Sequence, residues 1–290
     1  MICHDLARLS IHTMTNRPWS LAECVDYYTQ AGIPALSVWR NVIDPDEGGM
    51  GIAHAARLLH GSGLHVPALV RGGFFPAQEQ TERAKALDSN RKYIDEAAAL
   101  AADMLVLVVG AVPGMPLAEA RKQVADAVGA LVPHAESCGI KLAIEPMHPM
   151  YAAEWSCIHR LREAREICES LKHPLVGMAI DVYHVWFDPD LQTEIQAAGS
   201  QGFLFGYHIN DWRVDTQRIQ GERGLMGDGC IDLPAFQIMI EAAGFTGFHE
   251  VEVFSDQYWN SDQAAYLELI LTRYRELLSA VSEQSSKEIH

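Results

Sequence analysis

The chain is poor in positive charge. Its 22 lysines and arginines face 38 aspartates and glutamates in 290 residues, a formal net charge of −16 with histidines neutral. That balance disfavours a nucleic-acid backbone or an anionic membrane surface as the main partner, because phosphate binding calls for a basic face. Long apolar runs are also missing. None reaches the ~18 residues that a membrane span needs, and the longest, around Met104 to Val109, has the length of a buried strand. The opening MICHDLARLS has no basic segment followed by an apolar one, so no secretory signal is expected. The six cysteines (Cys3, Cys24, Cys138, Cys157, Cys168, Cys230) include no CxxC pair. Reduced thiols in a cytoplasmic protein are therefore the expectation. GxGxxG, the P-loop and the GxSxG elbow are absent, which leaves nucleotide binding and serine-hydrolase chemistry without support.

What is present is a globular composition with a regular alternation. Hydrophobic residues make up 49% and charged residues 21%, a balance that can build a large core without disulfides. Short β-branched or apolar runs are predicted as strands at 9–12, 35–39, 65–70, 105–109, 141–145, 176–181, 203–209 and 248–254. Between and after them, helical periodicity covers about 20–31, 52–61, 77–101, 117–138, 158–171, 190–198, 233–243 and 261–279. Gly32, Gly63, Gly139 and Gly244 stand where left-handed helix caps are expected. Eight strand–helix units in one chain predict an α/β protein of the (β/α)8 TIM barrel type, with an open doubly wound sheet as the alternative. No linker or composition break divides the chain, so one domain over 1–290 is expected, with a polar tail fraying from about residue 283.

In such a barrel the reactive groups stand at the C-terminal ends of the strands. Strand five ends in LAIEP (Glu145), strand six in MAIDVYH (Asp181, His184), strand seven in GYHIND (His208, Asp211), and strand eight is FHEVEVFS (Glu250, Glu252). One carboxylate at a strand end is commonly a helix cap, and one histidine a core residue. Four ionisable groups on one inner rim are different, because burying them costs several kcal/mol per ion unless something neutralises them. A single divalent cation meets that need. Two Glu, one Asp and one His make a mixed oxygen and nitrogen set that suits Mn²⁺ best, with Mg²⁺, Co²⁺, Fe²⁺ or Zn²⁺ as alternatives. Glu250 and Glu252 share a strand face. Glu252 lies nearer the C-terminal end and is the better ligand; Glu250 would sit one layer lower, with Arg8 or another buried polar group as partner. His12, Trp39, Arg71 with Gly72-Gly73, His148 in EPMHP, His184, and Arg223 in RGLMGDG are candidates to complete the pocket. For the arginines the ordinary alternative is a surface ion pair, and for Trp39, Phe74 and Trp186 it is core packing.

At these residues the sequence resembles the xylose isomerase-like TIM barrel superfamily, in its sugar isomerase/epimerase branch. The resemblance runs from LSIHTMT to EVFSDQYW. It implies one divalent metal on Glu145, Asp181, His208 and Glu252. It also implies substrate contacts for His184 in a DxxH motif and for Arg223 in an RGxxGxG loop. The segment between His208 and Arg223 is longer than in short ketose epimerases. No lysine at a strand end fits a hydride-shift aldose–ketose isomerase, and the additional histidines of the superfamily's trinuclear DNA-repair endonucleases are only partly present. EPMHP also resembles the branch acting on 3-oxo-glycosides, including alpha subunits of C-glycoside deglycosidases, where a residue placed like His148 is a candidate acid/base.

The expectation drawn from this resemblance is a metal-dependent isomerase or epimerase acting on a ketose or keto-sugar through a metal-stabilised enediolate. Glu145 and Glu252 are the catalytic pair and His148 a further catalytic candidate. His184, Arg223, Trp39, Arg71 and His12 contact a small-molecule sugar. A 3-oxo-glycoside lyase or deglycosidase subunit with the same metal site, and a non-catalytic sugar-binding barrel, stand as alternatives. A homodimer or tetramer is possible; nucleic acid and membrane are not expected as partners.

Overall fold

The computed structural model describes residues 6–218 and 220–288. Cys3 lies outside them, and the five cysteines within them are all free thiols. Eight parallel strands close into a barrel in chain order: β1 Leu9–His12, β2 Ala35–Trp39, β3 Ala68–Gly73, β4 Met104–Val108, β5 Lys141–Ile144, β6 Val176–Asp181, β7 Leu204–Ile209 and β8 His249–Val251, with β8 pairing back onto β1. The expected (β/α)8 architecture is the one observed. Helices α1 Leu21–Gln30, α2 Ile52–Ser62, α3 Gln80–Ala99, α4 Leu117–Cys138, α5 Leu161–Leu171, α6 Val182–Val185, α7 Leu191–Ser200, α8 Leu233–Ala242, α9 Asp256–Trp259 and α10 Gln263–Glu288 follow the strands.

The strands read as near-continuous apolar runs because both faces are covered, by helices outside and by side-chain layers within. β4, MLVLV, is buried at every position. The helices turn apolar stripes toward this sheet; α5, for example, buries Leu161, Ala164, Ile167 and Cys168 at helical spacing. Ser20 and Glu23 form a reciprocal capping box at the start of α1. Gly32, Gly63, Gly139 and Gly244 all take positive φ where caps were expected.

Three boundaries differ most from the sequence reading. β3 is displaced toward its C-terminal side, from 65–70 to Ala68–Gly73, because Pro67 cannot donate to a ladder and His65 makes only a single bridge to Ala35. The pairing of β3 with β4 slips between Val70 and Gly72, so Arg71 is the extra residue of a β-bulge. Arg71 therefore belongs to the strand and not to the loop after it. β8 shortens to His249–Val251, and α10 continues to Glu288, past the point where the tail was expected to fray. Among the described residues no helix is long and apolar enough to cross a membrane.

Candidate metal centre

Four side chains from the second half of the barrel converge at its C-terminal mouth. Asp181 is the last residue of β6, His208 the last but one of β7, and Glu145 and Glu252 each directly follow β5 and β8. All four are buried, and one ligand atom from each lies within 4.8 Å of the others. They approach each other because parallel strands in register bring equivalent positions to one level; Asp181 pairs with His208, and His208 with Glu250. His208 Nδ1 lies 3.2 Å from Glu145 Oε1 and 3.7 Å from Glu252 Oε2.

These residues fit a divalent cation. Glu145 Oε1 and both ring nitrogens of His208 are buried without a hydrogen-bond partner among the described residues, a costly state unless something binds them. Three carboxylates and one imidazole supply hard oxygen donors plus a nitrogen, the set expected around a borderline or hard divalent ion. Below them Glu250 stands 3.9 Å from His208 Nε2 and accepts a hydrogen bond of 2.5 Å from Ser37 Oγ. Ser37 is the hydrogen-bond partner of Glu250, and Arg8 is not. Arg8 instead donates to Glu241 at 2.9 Å and to the Gly247 carbonyl at 2.9 Å.

Arg223 is buried and reaches into the same cluster. Its Nη1 donates to Asp181 Oδ2 at 2.7 Å and to Glu252 Oε2 at 3.0 Å, and the guanidinium lies 4.7 Å from the centroids of both Tyr183 and Phe254. Its Nη2 lies 3.1 Å from His184 Nε2. Arginine has no acceptor, so Nε2 of His184 must be the bare nitrogen and Nδ1 carries the proton. Burial pushes the His184 pKa down to about 3 against the pull of Asp181, which agrees with a neutral ring. Burial works against ionised Asp181, but Arg223, His184 and His208 hold its carboxyl well below the usual range. Glu252 goes the other way: burial pushes it up to about 8, with Glu145 and Asp181 adding to the rise and His208 and Arg223 opposing it. His208 is held up to about 10, because Glu145, Glu250 and Glu252 outweigh its burial.

Other candidates fall at different distances from this cluster. His12 ends β1 as part of the buried floor, 3.8 Å from both Glu250 and Glu252 and edge-on to His208. Trp39 lines a small cavity of about 50 Å3 together with Glu145, Tyr151, Trp155, Arg223 and Glu252. Arg71 stands on the bulge beside this cavity, 4.5 Å from the ring centroid of Trp155. His148 is not among that lining. Its Nδ1 accepts from the Met150 N–H at 3.2 Å, capping a 3-10 turn over Pro149–Tyr151, and its ring packs on Phe187 and Trp212. A larger cavity of about 650 Å3 opens among Lys172, Pro174, Val176 and Gln201, at the start of β6, which is the opposite end of the barrel.

Two contributors had no clear signal in the sequence, and a third, Asp211, was legible there only as an acid at the end of strand seven. Asn210 donates to Asp181 Oδ1 at 2.8 Å and to the Glu252 carbonyl at 3.1 Å, tying two of the cluster's strands together. Tyr151 stacks edge-on to His184 from the loop after β5. Asp211 accepts backbone N–H bonds from Trp212, Gly227, Gly229 and Ile231. It pins the glycine-rich loop, and Gly224 pairs back onto Asp211 at 2.9 Å in both directions, which sets Arg223 at the mouth. An acid beginning a turn rich in glycine was the one available hint.

Known proteins share this architecture. Residues 25–274 match the family described as xylose isomerase-like TIM barrel. Protein SMc04130 from Sinorhizobium meliloti 1021 is 44% identical, with a TM-score of 0.89 over 94% of this chain and 98% of that one. The IolI protein, solved with a bound zinc atom, superposes with a TM-score of 0.83 at 19% identity over 95% and 98% of the two chains, a likeness of fold. The inosose isomerase of Bacillus subtilis (strain 168) is 27% identical over 150 residues, 49% of this chain and 50% of that protein. The chain thus spans about half the length of the curated relatives it matches. With a match over residues 25–274 and a closed eight-stranded barrel, the chain belongs to the xylose isomerase-like TIM barrel family.

Proposed function

We propose that this protein is a metal-dependent sugar isomerase or epimerase that moves a proton beside the carbonyl of a ketose or keto-sugar. The observation that carries this reading is the convergence of Glu145, Asp181, His208 and Glu252 within 4.8 Å at the barrel mouth. The similarity to an inosose isomerase supports the substrate class. These four side chains would hold one divalent ion, manganese by its donor chemistry, with zinc, magnesium, cobalt and iron as alternatives. When bound there, such an ion supplies Lewis acidity to a substrate carbonyl, favouring loss of the neighbouring proton.

The chain's own residues divide the remaining work. Glu145 and Glu252 come from β5 and β8, so they flank a substrate from two sides. One carboxylate takes the proton and the other, protonated, returns one. Return to the opposite face of the same carbon epimerises, and return to the neighbouring carbon isomerises. Burial of both groups keeps water from competing for the proton, and each positioned proton transfer contributes on the order of 10²–10⁴-fold in rate. Neutral His184 and Arg223 orient substrate oxygens from the β6 and β7 sides, while Trp39 and Phe254 wall the cavity.

The test is carbon-bound proton exchange in deuterated water with metal-loaded protein. Glu145→Gln and Glu252→Gln should each abolish exchange while retaining the fold. Asp181→Asn and His208→Ala should lose most of the bound metal. Exchange that persisted in both glutamate variants would refute the two-carboxylate scheme.

A further inference from the structure

A second cavity, about 360 Å3, adjoins the small one at the metal centre and shares its Trp39 wall. Trp39, Arg40, Asn41, Glu47, Arg71 and Phe74 line it from the ends of β2 and β3. Arg71 is the unusual member. Its guanidinium lies 4.5 Å from the Phe74 centroid, 4.5 Å from Trp155 and 5.8 Å from Trp39. Among the described residues it donates no hydrogen bond and joins no ion pair. Carboxylates are abundant in a chain of net charge −16, and Glu47 in the same wall forms no ion pair with it. Arg40 shows the contrast. It lines the same cavity, but Glu96 at 2.7 Å and Asp44 at 3.1 Å already occupy its donors.

The backbone is built to aim Arg71. A bulge re-aims the side chain it carries, and here the bulge is tightly held. Asn90 on α3 accepts from the Gly73 N–H at 2.7 Å and donates to the Gly73 carbonyl at 2.8 Å. Gly73 has φ +113, and a Cβ there would lie 1.8 Å from the Val108 carbonyl oxygen. A second polar group in the cavity is also unmatched: the side-chain oxygen of Asn41 is buried with no hydrogen-bond partner among the described residues. The cavity therefore offers a planar cluster of donors, one acceptor without a partner besides the Glu47 carboxylate, and aromatic walls. The donors suit an oxyanion, the acceptor a hydroxyl, and the rings the C–H face of a short carbon chain.

We propose that Arg71 binds an oxyanion, carboxylate or phosphate, at the far end of a hydroxylated substrate whose reacting carbon lies between Glu145 and Glu252. The natural substrate is then a keto-sugar acid or a ketose phosphate and not a neutral sugar. This rests on the isomerase/epimerase reading for the position of the reacting carbon, while the anion site stands on its own geometry.

Two measurements on the metal-loaded protein test it. Trp39 and Trp155 beside the guanidinium report on the site, so tryptophan fluorescence is titrated with inorganic phosphate and with glycolate, against sodium chloride at matched ionic strength. A saturable change with either oxyanion, lost in Arg71→Met, is expected; the methionine keeps apolar contact with the rings and removes the charge. An identical response in Arg71→Met, or none in the wild type, overturns the proposal. Proton exchange is then compared among neutral ketoses, keto-sugar acids and ketose phosphates. Anionic substrates should be preferred, and Arg71→Met should raise their KM on the order of 10²-fold, with a much smaller rise for neutral analogues. Preference for the acid or for the phosphate identifies the source of the oxyanion. Equal losses on anionic and neutral substrates would overturn the specificity role. Exchange with no substrate, alongside an Arg71-dependent titration, would instead remove the isomerase reading and leave the anion site standing.

Discussion

Replacing Arg223 with methionine separates the two ways in which this barrel neutralises its buried carboxylates. In the metal-free protein Arg223 is the guanidinium against Asp181 and Glu252, at 2.7 and 3.0 Å. Its removal leaves both carboxylates in a site that excludes water, with His208 still beside Glu252 but in no ion pair with Asp181 among the described residues. Breaking a buried ion pair by removing one partner costs about 3–5 kcal/mol. For a chain of this size each kcal/mol shifts the melting temperature by roughly 2–4 °C, so Arg223→Met should melt about 6–20 °C below the wild type after chelation. With metal bound, a divalent charge at the same carboxylates takes over that neutralisation. Metal at 100 times its dissociation constant stabilises by about 2.7 kcal/mol, and it should act more strongly on the variant, because only the variant lacks another cation at Asp181. The assay is calorimetric melting of both proteins with EDTA and with saturating Mn²⁺ or Zn²⁺. The gap between them should narrow clearly on loading. An equal gap in the two conditions would show that Arg223 acts by packing against Tyr183 and Phe254, and would refute the electrostatic account.

Two further predictions follow from the same contacts. Glu252 at about 8 and His208 at about 10 both exceed their ordinary values of 4.5 and 6.5. Groups that bind protons more tightly when folded contribute stability that is complete below the ordinary values and lost as pH rises through the folded ones. Metal-free protein should therefore lose melting temperature from about pH 4.5 to 10, the metal-loaded form much less. Metal binding near pH 7 should release protons, read by calorimetry in buffers of different ionisation heat; binding without proton release would contradict these shifts. At the bulge, Gly73→Ala should destabilise by more than about 4 kcal/mol or prevent folding, because its Cβ would overlap Val108. Gly32→Ala, with φ +74 and open space around it, should cost only about 1–2 kcal/mol, and similar denaturation midpoints for the two would contradict the packing argument.

The chain order of apolar runs and helical stretches was sufficient for the barrel, because strand and helix periodicity are local properties and eight alternating units have few ways to close. The four candidate ligands were legible for the same reason. Parallel strands in register put equivalent ends at one level, so a polar residue ending an apolar run points to the rim whatever its distance in sequence. Contacts that depend on how distant segments pack were not legible. Ser37 meets Glu250 across 213 positions of sequence, Arg223 enters between Asp181 and Glu252, and His148 turns to Phe187 and Trp212 instead of the cavity. The Arg71 bulge was hidden as well, since Asn90 on another helix and the Val108 backbone create it. Local pattern determined which residues reach the mouth of the barrel. Only the three-dimensional packing of loops and helices decided which of them touch, because those contacts are set by side-chain fit between elements that no short-range periodicity relates.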